Sequence, residues 1–469
     1  MRTKNELIEL TITGMTAEGN GVGRYEGEAV FVPDTAVGDE IICKIVKPLK
    51  RYAFGIIDTL KTPSPDRIKP DCSVAKPCGG CLFRHLQYDA ELKIKETIVR
   101  DAFTRLGGLS PDFLPILGCT DTDGYRNKAQ YPIALQDGKA VCGFYARRSH
   151  RLIPYTDCNL QPPVFSEILS TVLERINASN LPPYDETSHK GLLRHIYLRR
   201  GAHSGEIMLC FVMRKNSPLL RTIAEEMMRL FPDIKSVCVN LNPDKTNVIL
   251  GKETLCIRGN ETITDIMCGN RISLSPASFY QVNTLQAERL YQIAAEFAQL
   301  TGQETLLDLY CGAGTIGLSM AKRVKRLVGV EIIPQAVENA KQNAAANGIE
   351  NAEFYCGDAG TIAEQLVEKG EAPDVIIVDP PRKGCDQATI AAVVKMSPRR
   401  VVMISCNPAT AARDCALFDQ LGYHTETVRA VDLFPRTGHV ETVVLLSRKD
   451  VHERIKFDVN VEELMENSN

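Results

Sequence analysis

The stretch Asp308-Leu-Tyr-Cys-Gly-Ala-Gly-Thr-Ile-Gly317 decides the fold class of this 469-residue chain. It ends an apolar, strand-like run and opens a segment of helical character, which is typical of the turn between a strand and a helix. Gly312 and Gly314 allow a tight turn and let the backbone approach a ligand where a side chain would clash. Glu331 closes the next predicted strand, nineteen residues after Gly312, where it is placed to accept hydrogen bonds from a ribose. The pattern therefore predicts a cofactor loop at the carboxyl edge of a parallel sheet.

Strand-like and helical segments alternate around this loop, from about residue 265 to residue 450. Apolar runs such as Val-Ile-Ile-Val and Val-Val-Met-Ile suit strands that are buried on both faces of a parallel sheet. We therefore predict an α/β fold class with a C-terminal doubly wound, Rossmann-like sheet, which binds its ligands at the carboxyl ends of the strands. The predicted strands are Leu306–Tyr310, Arg326–Glu331, Ala352–Cys356, Val375–Asp379, Arg400–Ser405, Thr425–Val431 and Thr442–Leu446.

The ends of other strands distinguish between two cofactors that the glycine loop alone fits equally well, NAD and S-adenosylmethionine (SAM). Asp358 follows the third strand and suits the adenine side of a pocket. Asp379 begins Asp-Pro-Pro-Arg-Lys-Gly after the fourth strand, where two prolines fix both the backbone and the acid. Hydride transfer has no evident need for such a turn beside a cysteine on the adjacent strand. We therefore favour SAM, with an NAD-dependent iron–sulfur oxidoreductase as the alternative.

Cys406, in Ser-Cys-Asn-Pro directly after the fifth strand, is the candidate nucleophile. Carbon 5 of uracil is a poor nucleophile, but a thiolate that adds to carbon 6 makes carbon 5 electron-rich enough to accept a methyl group. A base must then remove the carbon 5 proton, and Glu441 in Gly-His-Val-Glu-Thr is the candidate. A methyltransferase that modifies amino groups is a nearer alternative, but such enzymes typically follow Pro-Pro with an aromatic residue, whereas this chain has Arg382.

A second cysteine motif, Cys72-x5-Cys78-x2-Cys81, is compact enough to wrap a metal centre. A fourth ligand must come from elsewhere, and Cys158 is a reasonable candidate. Four thiolates suit zinc and an iron–sulfur cluster equally well by count, so the spacing leaves both open.

The N-terminal sixty residues read as short strands separated by Gly-Asn-Gly and Pro-Asp turns, which predicts a small barrel of the oligonucleotide-binding type. A proline-rich linker follows it, and the mixed segment after residue 125 predicts a second α/β module. The predicted domains are residues 1–60 (barrel), 61–90 (linker and cysteine cluster), 91–124 (helical connector), 125–264 (central α/β RNA-binding module), 265–450 (cofactor-binding sheet) and 451–469 (acidic tail).

Composition limits the class of protein and of partner. The chain has no run of eighteen apolar residues and no signal-peptide core, and its sixteen cysteines suit a reducing, cytosolic compartment. The net charge of −3 argues against a general nucleic-acid coat, although local basic patches suit RNA phosphates. These patches are Lys44, Lys47, Lys50 and Arg51; Arg147, Arg148 and Arg151; and Lys190, Arg194, Arg199 and Arg200.

The combination of Ser-Cys-Asn-Pro, Asp-Pro-Pro-Arg and His-Val-Glu-Thr resembles the RumA-type 23S ribosomal RNA uracil-5-methyltransferases, over nearly the whole chain. The resemblance implies a TRAM domain at the barrel, Cys406 as nucleophile and Glu441 as proton acceptor. It also implies a 4Fe–4S cluster on Cys72, Cys78, Cys81 and Cys158. The implied SAM-binding residues are Gln281, Tyr310, Thr315, Glu331, Asp358 and Asp379, together with the loop glycines Gly312 and Gly314.

The same resemblance implies the partner. The related transfer-RNA enzyme shares the catalytic motifs but is expected to lack the barrel and the cluster, so 23S ribosomal RNA is favoured over transfer RNA. We expect no DNA or membrane partner, and we expect a monomer.

Overall fold

The computed structural model of this chain describes residues 3–147 and 149–449. Arg148 and the predicted acidic tail of residues 451–469 lie outside the described residues. The described chain divides into two compact units. The first contains residues 3–98, 118–288 and 432–439, and the second contains residues 99–117, 289–431 and 440–449.

The first unit begins with a closed barrel in the order β1-β2-β3-β5-β4, which confirms the predicted small barrel. Side chains alternate along each strand, so that residues such as Val30, Val32 and Ala53 fill the interior. Pairing is antiparallel except between β3 and β5, which run parallel. The strands are Leu7–Met15 (β1), Asn20–Tyr25 (β2), Glu28–Pro33 (β3), Glu40–Pro48 (β4) and Tyr52–Thr62 (β5).

Helix α1, Tyr88–Asp101, follows the cysteine-rich loop and continues into one π-helical turn, Ala102–Leu106. Lys95 on this helix is fully buried between two carboxylates, with its Nζ 2.7 Å from Glu91 Oε1 and 2.7 Å from Asp432 Oδ1. Tyr88 donates its hydroxyl to the other oxygen of Asp432 at 2.9 Å. Because buried charges are stable only when paired, this network fixes residues 432–434 against α1.

The rest of the first unit is built on a seven-stranded sheet in the order β13-β12-β11-β10-β7-β8-β9, with a separate β14-β15 hairpin. Helices α2 and α3 pack apolar side chains such as Phe165, Leu169 and Ile223 into the core of this sheet. The strands are Lys128–Gln136 (β7), Lys139–Tyr145 (β8), Leu152–Pro154 (β9), Leu193–Arg200 (β10), Ile207–Met213 (β11), Ile234–Leu241 (β12), Glu253–Gly259 (β13), Ile263–Met267 (β14) and Asn270–Leu274 (β15). The helices are Pro163–Ser179 (α2), Leu219–Leu230 (α3) and Thr284–Ala298 (α4), the last of which crosses the boundary between the units.

The second unit is an eight-stranded sheet in the order β18-β17-β16-β19-β20-β22-β21-β6, which confirms the predicted doubly wound, Rossmann-like fold. β16 to β20 run parallel, β22 is inserted antiparallel, and β6 adds an edge strand that the sequence did not predict. The strands are Asp112–Leu117 (β6), Thr305–Leu309 (β16), Arg326–Glu331 (β17), Ala352–Cys356 (β18), Val375–Val378 (β19), Arg400–Ser405 (β20), Tyr423–Val431 (β21) and Glu441–Arg448 (β22). The helices are Thr315–Met320 (α5), Pro334–Ala346 (α6), Ala359–Glu368 (α7), Gln387–Met396 (α8) and Pro408–Gln420 (α9), with a 3-10 turn at Ala321–Arg323.

Runs of β-branched residues form the central strands of this sheet, which are buried on both faces. All four residues of β19 are buried, as both faces of a parallel strand require. Each of α5 to α9 begins just after the carboxyl end of a strand, so the helix N-termini and the loops before them share one edge of the sheet. Across the described ranges, no helix is both long and apolar enough to span a bilayer.

Candidate functional site

The loop after β16 combines tight packing with one open position. Gly314 has φ +80° and Gly317 has no room for a side chain, since an added Cβ would lie 2.8 Å from Asp308 Oδ2. Gly312 has φ +55°, yet a Cβ added there meets no described atom within 4 Å. Tyr310 also has a positive φ, +66°, which costs a bulky residue about 1–3 kcal/mol and marks a backbone held by its surroundings. The loop is therefore strained and rigid, with free space in front of Gly312.

Two carboxylates support this loop from within. Glu331 accepts the Gly312 N–H at 3.1 Å through one oxygen and the Ile333 N–H at 2.8 Å through the other, so its position beside the open glycine is fixed. Asp308 accepts the Gly317 N–H at 2.9 Å, and burial raises its pKa to about 7. Its other oxygen is buried without a hydrogen-bond partner in the described chain. Glu331, the predicted ribose acceptor, therefore lies at the open glycine, whereas no role was predicted for Asp308.

Each of the other predicted cofactor residues has identifiable contacts within its own unit. Asp358 caps α7 by accepting the Thr361 N–H at 3.1 Å, and it follows β18 at the same sheet edge. The Tyr310 and Thr389 hydroxyls are 3.3 Å apart. The predicted cofactor residue Thr315 starts α5, with its hydroxyl 3.3 Å from that of Tyr291. Gln281 belongs to the first unit, where its backbone carbonyl accepts the Asn127 side-chain amide at 2.8 Å.

Cys406 and Glu441 are brought together by the register of β20 and β22. The last pair in this antiparallel ladder is Ser405 with Thr442, and the Thr442 hydroxyl donates to the Ser405 carbonyl at 3.1 Å. Cys406 follows Ser405 and Glu441 precedes Thr442, so the same register places these two residues opposite each other. Directly opposed residues on neighbouring strands have Cβ atoms about 5 Å apart. The predicted nucleophile and base are therefore neighbours.

The electrostatics of this pair are set by burial and by two residues of the Pro-Pro turn. The pKa of Glu441 is raised to about 8, mainly by burial and also by the charge of Asp379, whereas Arg382 lowers it. Burial also raises the pKa of the half-buried Cys406 thiol, as do Glu441 and Asp379, whereas Arg382 lowers it. Burial raises the pKa of Asp379 to about 7. Arg382 is thus the cation that favours the charged forms of both the nucleophile and the base.

Asn407 joins the cysteine turn to the Pro-Pro turn. Its side-chain oxygen caps α9 by accepting the Ala409 N–H at 3.2 Å, and its amide donates to the Arg382 carbonyl at 3.1 Å. The Thr410 hydroxyl donates to the same carbonyl at 3.4 Å. Neither Arg382 nor Asn407 was assigned a function from the sequence. Arg382 lies in the turn that begins at the predicted cofactor residue Asp379, and Asn407 directly follows Cys406, and these positions were the available signal.

The four cysteines of the predicted metal centre line one cavity of about 300 Å³ in the first unit. The pKa of Cys81 is raised to about 12 and that of Cys158 to about 11, mainly by burial and also by the neighbouring thiols. Thiols that affect one another in this way lie close together. Within residues 3–147 and 149–449, however, no three Cys, His, Asp or Glu side chains are already arranged as a metal site. Four thiols are a donor set that fits a thiolate-bound metal.

The prediction that Lys190, Arg194, Arg199 and Arg200 form a basic surface patch was wrong. Arg194 and Arg199 are buried and donate to backbone carbonyls, Arg194 to that of Asp244 at 2.6 Å and Arg199 to that of Ser275 at 2.7 Å. They stabilise loops of the first unit and are not available to phosphates. The patch of Lys47, Lys50 and Arg51, in contrast, is exposed on the barrel.

Sequence comparison places two family profiles on the chain. Residues 253–449 match a profile described as tRNA (Uracil-5-)-methyltransferase, and residues 2–57 match the TRAM domain. An uncharacterized RNA methyltransferase of Halalkalibacterium halodurans is 41% identical over 449 residues, which cover 95% of this chain and 98% of the relative. A second uncharacterized RNA methyltransferase, from Bacillus cereus, is 42% identical and covers 95% and 97% of the two chains.

Comparison with solved structures gives a similar result. The crystal structure of the Pyrococcus abyssi tRNA (uracil-54, C5)-methyltransferase in complex with S-adenosyl-L-homocysteine matches with a TM-score of 0.75 and 25% identity. The match covers 94% of this chain and 100% of that enzyme. The part of this chain that the match leaves out is shorter than the barrel, so the archaeal enzyme has a counterpart of the barrel. The barrel therefore does not distinguish ribosomal RNA enzymes from transfer RNA enzymes, contrary to our expectation.

Proposed function

This chain belongs to the RNA uracil-5-methyltransferase family, and from that premise we propose that it methylates carbon 5 of a uridine in 23S ribosomal RNA through a covalent intermediate on Cys406. The observation that carries the proposal is the shared strand end of Cys406 and Glu441, beside the turn of Asp379 and Arg382. A thiol and a buried carboxyl at one sheet edge supply the nucleophile and the base that this reaction needs.

The first step is addition of the Cys406 thiolate to carbon 6 of the uracil. The thiol has a raised pKa, so it is protonated in the free protein at neutral pH and must lose its proton as RNA binds. Arg382 favours this loss, because its charge lowers the thiol pKa. The sulfur–carbon bond forms as the double bond between carbons 5 and 6 opens, and its electrons delocalise over carbon 5 and the carbon 4 oxygen. The target uridine must be unstacked for the sulfur to reach carbon 6 from above the ring.

The remaining steps transfer the methyl group and release the enzyme. When bound, SAM would supply an electrophilic methyl group to carbon 5 and would leave as S-adenosylhomocysteine. Glu441, as its carboxylate, then removes the carbon 5 proton, and the double bond re-forms as the sulfur leaves carbon 6. The thiolate is regenerated and the proton passes from Glu441 to solvent, so each turnover releases one proton.

The residues after β16, β17, β18 and β19 are proposed to hold the cofactor. The open position at Gly312 gives space for it against the backbone, and the fixed carboxylate of Glu331 is suited to the ribose hydroxyls. Asp358 is proposed for the adenine side and Asp379 for the end nearest the reacting carbon. Gly314, Tyr310, Thr315 and Gln281 are proposed as further contacts.

We also propose that Cys72, Cys78, Cys81 and Cys158 hold a 4Fe–4S cluster. Their common cavity and the chemistry of four thiols support this assignment, and such a cluster would cross-link the loop before α1 to residue 158. Anaerobic purification followed by iron and sulfide analysis tests it. Four iron and four sulfide per chain support the cluster, whereas one zinc and no iron contradict it.

Ribosomal RNA is the first candidate substrate because of the resemblance in the cysteine motif. Transfer RNA is the second, because the structure with the 0.75 TM-score is that of a transfer RNA enzyme. We also propose that the protein acts in the cytoplasm as a monomer that binds RNA and not DNA.

One assay separates these candidates. Purified protein is incubated with SAM and either unmodified 23S ribosomal RNA or unmodified transfer RNA, and the nucleosides are analysed by mass spectrometry. We expect 5-methyluridine in the ribosomal RNA. The same product in transfer RNA alone would identify the second candidate, and a methylated amino group or no product would reject the proposal.

A further inference from the structure

Two cysteines of the first unit face each other across neighbouring strands. Cys238 on β12 pairs directly with Cys256 on the antiparallel edge strand β13. Because directly opposed residues of an antiparallel pair point to the same face of the sheet, the two side chains lie side by side. The two thiols are also in hydrogen-bonding contact. Neither cysteine belongs to the predicted catalytic or metal-binding residues, so this thiol pair has no role in the proposed methyl transfer.

Strand geometry brings the pair within the range of a disulfide bond. Opposed residues in antiparallel strands have Cα atoms about 4.5–5.5 Å apart. A disulfide joins residues whose Cα atoms are about 4.4–6.8 Å apart. The ladder also has a β-bulge between the paired positions of Val237 and Cys238, so regular pairing is interrupted directly before the cysteine. A bond between the two sulfur atoms therefore requires no rearrangement of the sheet.

The two sulfur atoms differ in their access to solvent. Cys256 is partly exposed, and its sulfur lies against the turn after β13, 3.3 Å from the Asn260 carbonyl oxygen. Cys238 is buried, and its sulfur lies 3.3 Å from the Ser236 hydroxyl. The pKa of Cys238 is raised to about 11, mainly by burial and also by Cys256, whereas Ser236 lowers it. An oxidant from solvent therefore reaches Cys256 first, with the Cys238 thiol directly behind it.

We propose that Cys238 and Cys256 are a redox-modification site and form a reversible disulfide when the protein meets hydrogen peroxide. The Cys256 thiol, as its thiolate, attacks one peroxide oxygen, the O–O bond breaks, and a sulfenic acid and one water molecule form. The Cys238 thiol then attacks the Cys256 sulfur, and the hydroxyl group leaves with the thiol proton as a second water molecule. Two thiols and one peroxide thus give one disulfide and two water molecules. A neighbouring thiol that captures the sulfenic acid prevents its further, irreversible oxidation.

The bond closes the loop that connects these two strands. Residues 239–255 lie between the two cysteines and include the connection from β12 to β13. In this loop the Asp244 carbonyl accepts the buried Arg194 guanidinium at 2.6 Å, and Ile249 lines the cavity of the four predicted metal-binding cysteines. Oxidation therefore cross-links the base of a loop that borders this cavity, and it restricts that loop in the unfolded chain.

Peptide mapping tests the bond directly. The full-length protein is purified with a reductant, freed of it and treated with hydrogen peroxide. Remaining thiols are then blocked with N-ethylmaleimide, and the protein is digested with trypsin. Trypsin releases Cys238 on peptide 236–245 and Cys256 on peptide 253–258, each without another cysteine. Mass spectrometry should find these two peptides linked after peroxide treatment but not before it, and dithiothreitol added before blocking should separate them.

Three variants identify the role of each thiol. Cys256→Ser should give no linked peptide and should leave Cys238 blocked by N-ethylmaleimide. Cys238→Ala should stop the reaction at the Cys256 sulfenic acid, which dimedone traps. Cys268, an exposed cysteine on the turn between β14 and β15, provides the matched control. Cys268→Ser should form the same linked peptides as the natural protein.

Two results would overturn the proposal. One is the absence of the linked peptides from the natural protein, with Cys256 recovered as a free thiol or as a sulfinic acid. The other is a link from Cys238 to Cys210, its neighbour on the parallel strand β11. Methylation of RNA by the reduced protein is measured separately. Linked peptides from a protein that methylates no RNA would support the disulfide while the proposed function fails.

Discussion

Cys406 and Glu441 lie opposite each other at one end of adjacent antiparallel strands, one position beyond the paired residues Ser405 and Thr442. The arrangement depends on β22, the antiparallel strand inserted beside β20. A parallel strand in that place would carry its first residue at the far edge of the sheet. The antiparallel insertion is therefore what brings a nucleophile and a base from distant parts of the sequence to one site.

Replacing Gly312 should block the cofactor without a special cost to the fold. Gly312 and Gly348 have similar positive φ values, +55° and +63°, and a Cβ at either meets no atom of the described chain within 4 Å. Gly312→Ala and Gly348→Ala should thus each lose about 1–2 kcal/mol of unfolding free energy. Calorimetric titration should find SAM affinity reduced at least about tenfold for Gly312→Ala alone, and equal affinities for the two variants would contradict the assignment of the loop.

Asn407 should act by positioning the cysteine turn. Asn407→Ser keeps an acceptor that caps α9 but loses the donor to the Arg382 carbonyl, so unfolding in urea should change by no more than about 0.5 kcal/mol. We expect kcat to fall about tenfold, the value of one hydrogen bond, while the KM for SAM stays the same. Asn407→Ala should lose the cap as well, at a further cost of about 1 kcal/mol. An unchanged kcat for Asn407→Ser would show that the tie between the turns has no catalytic effect.

The rate should depend on pH through the buried carboxyl. The pKa of Glu441 is raised to about 8, so below that pH the group is mostly protonated and cannot accept a proton. The raised pKa of Cys406 acts in the same direction, since the thiol must ionise. We expect kcat/KM to rise at least about tenfold per pH unit below about pH 8, and to go on rising above it because the thiol ionises at higher pH than the carboxyl.

The variant Arg382→Gln tests whether Arg382 sets the position of this pH profile. Arg382 lowers the pKa values of both groups, so its loss should move the rise to higher pH. Lys383→Gln, at the exposed neighbouring position, should leave the profile in place. A profile that falls with rising pH, or one that Arg382→Gln does not move, would contradict these roles.

Glu441→Gln should permit methyl transfer but block release of the methylated RNA from Cys406. The amide cannot remove the carbon 5 proton, so turnover should fall by about 10²–10⁴ while a methylated RNA–protein adduct accumulates. Denaturing gel electrophoresis with radiolabelled SAM would detect this adduct. Glu338→Gln, on the exposed face of α6, serves as the control and should turn over normally. Full turnover by Glu441→Gln would assign the base to another residue.

Buried parallel strands were predictable because their sequences are almost wholly apolar. The ends of β17 and β20 agree with those predicted, since each run ends in a polar residue at the sheet edge, and the bounds of the edge strand β18 agree as well. β2, which begins at Asn20, was missed because Gly19-Asn20-Gly21 was interpreted as a turn, although Gly21 and Gly23 lie within the strand. In the barrel they are glycine for lack of space, as a Cβ at Gly23 would lie 2.5 Å from Leu10. β6 was missed because Pro115 is unusual in a strand and its partner β21 is some three hundred residues away.

The sequence motifs predicted which residues form the site, but not the burial and the charges around them. Motifs at strand ends identified Cys406 and Glu441 as candidates, and the register later placed them together. The balance between burial and Arg382 at these groups depends on the folded chain, because it combines residues from three strand ends. The fully buried Arg199 shows the converse, since a basic run in the sequence does not reveal which cations face solvent.

The covalent step on Cys406 is tested most directly with RNA in which the target uridine is replaced by 5-fluorouridine. Fluorine at carbon 5 cannot be removed as a proton, so the account predicts that the reaction stops with sulfur bound to carbon 6. Mass spectrometry after nuclease and protease digestion should find a methylated fluorouridine on the peptide that contains Cys406, and no adduct with Cys406→Ala. Absence of the adduct from the natural protein, or its attachment to any other residue, would contradict the account.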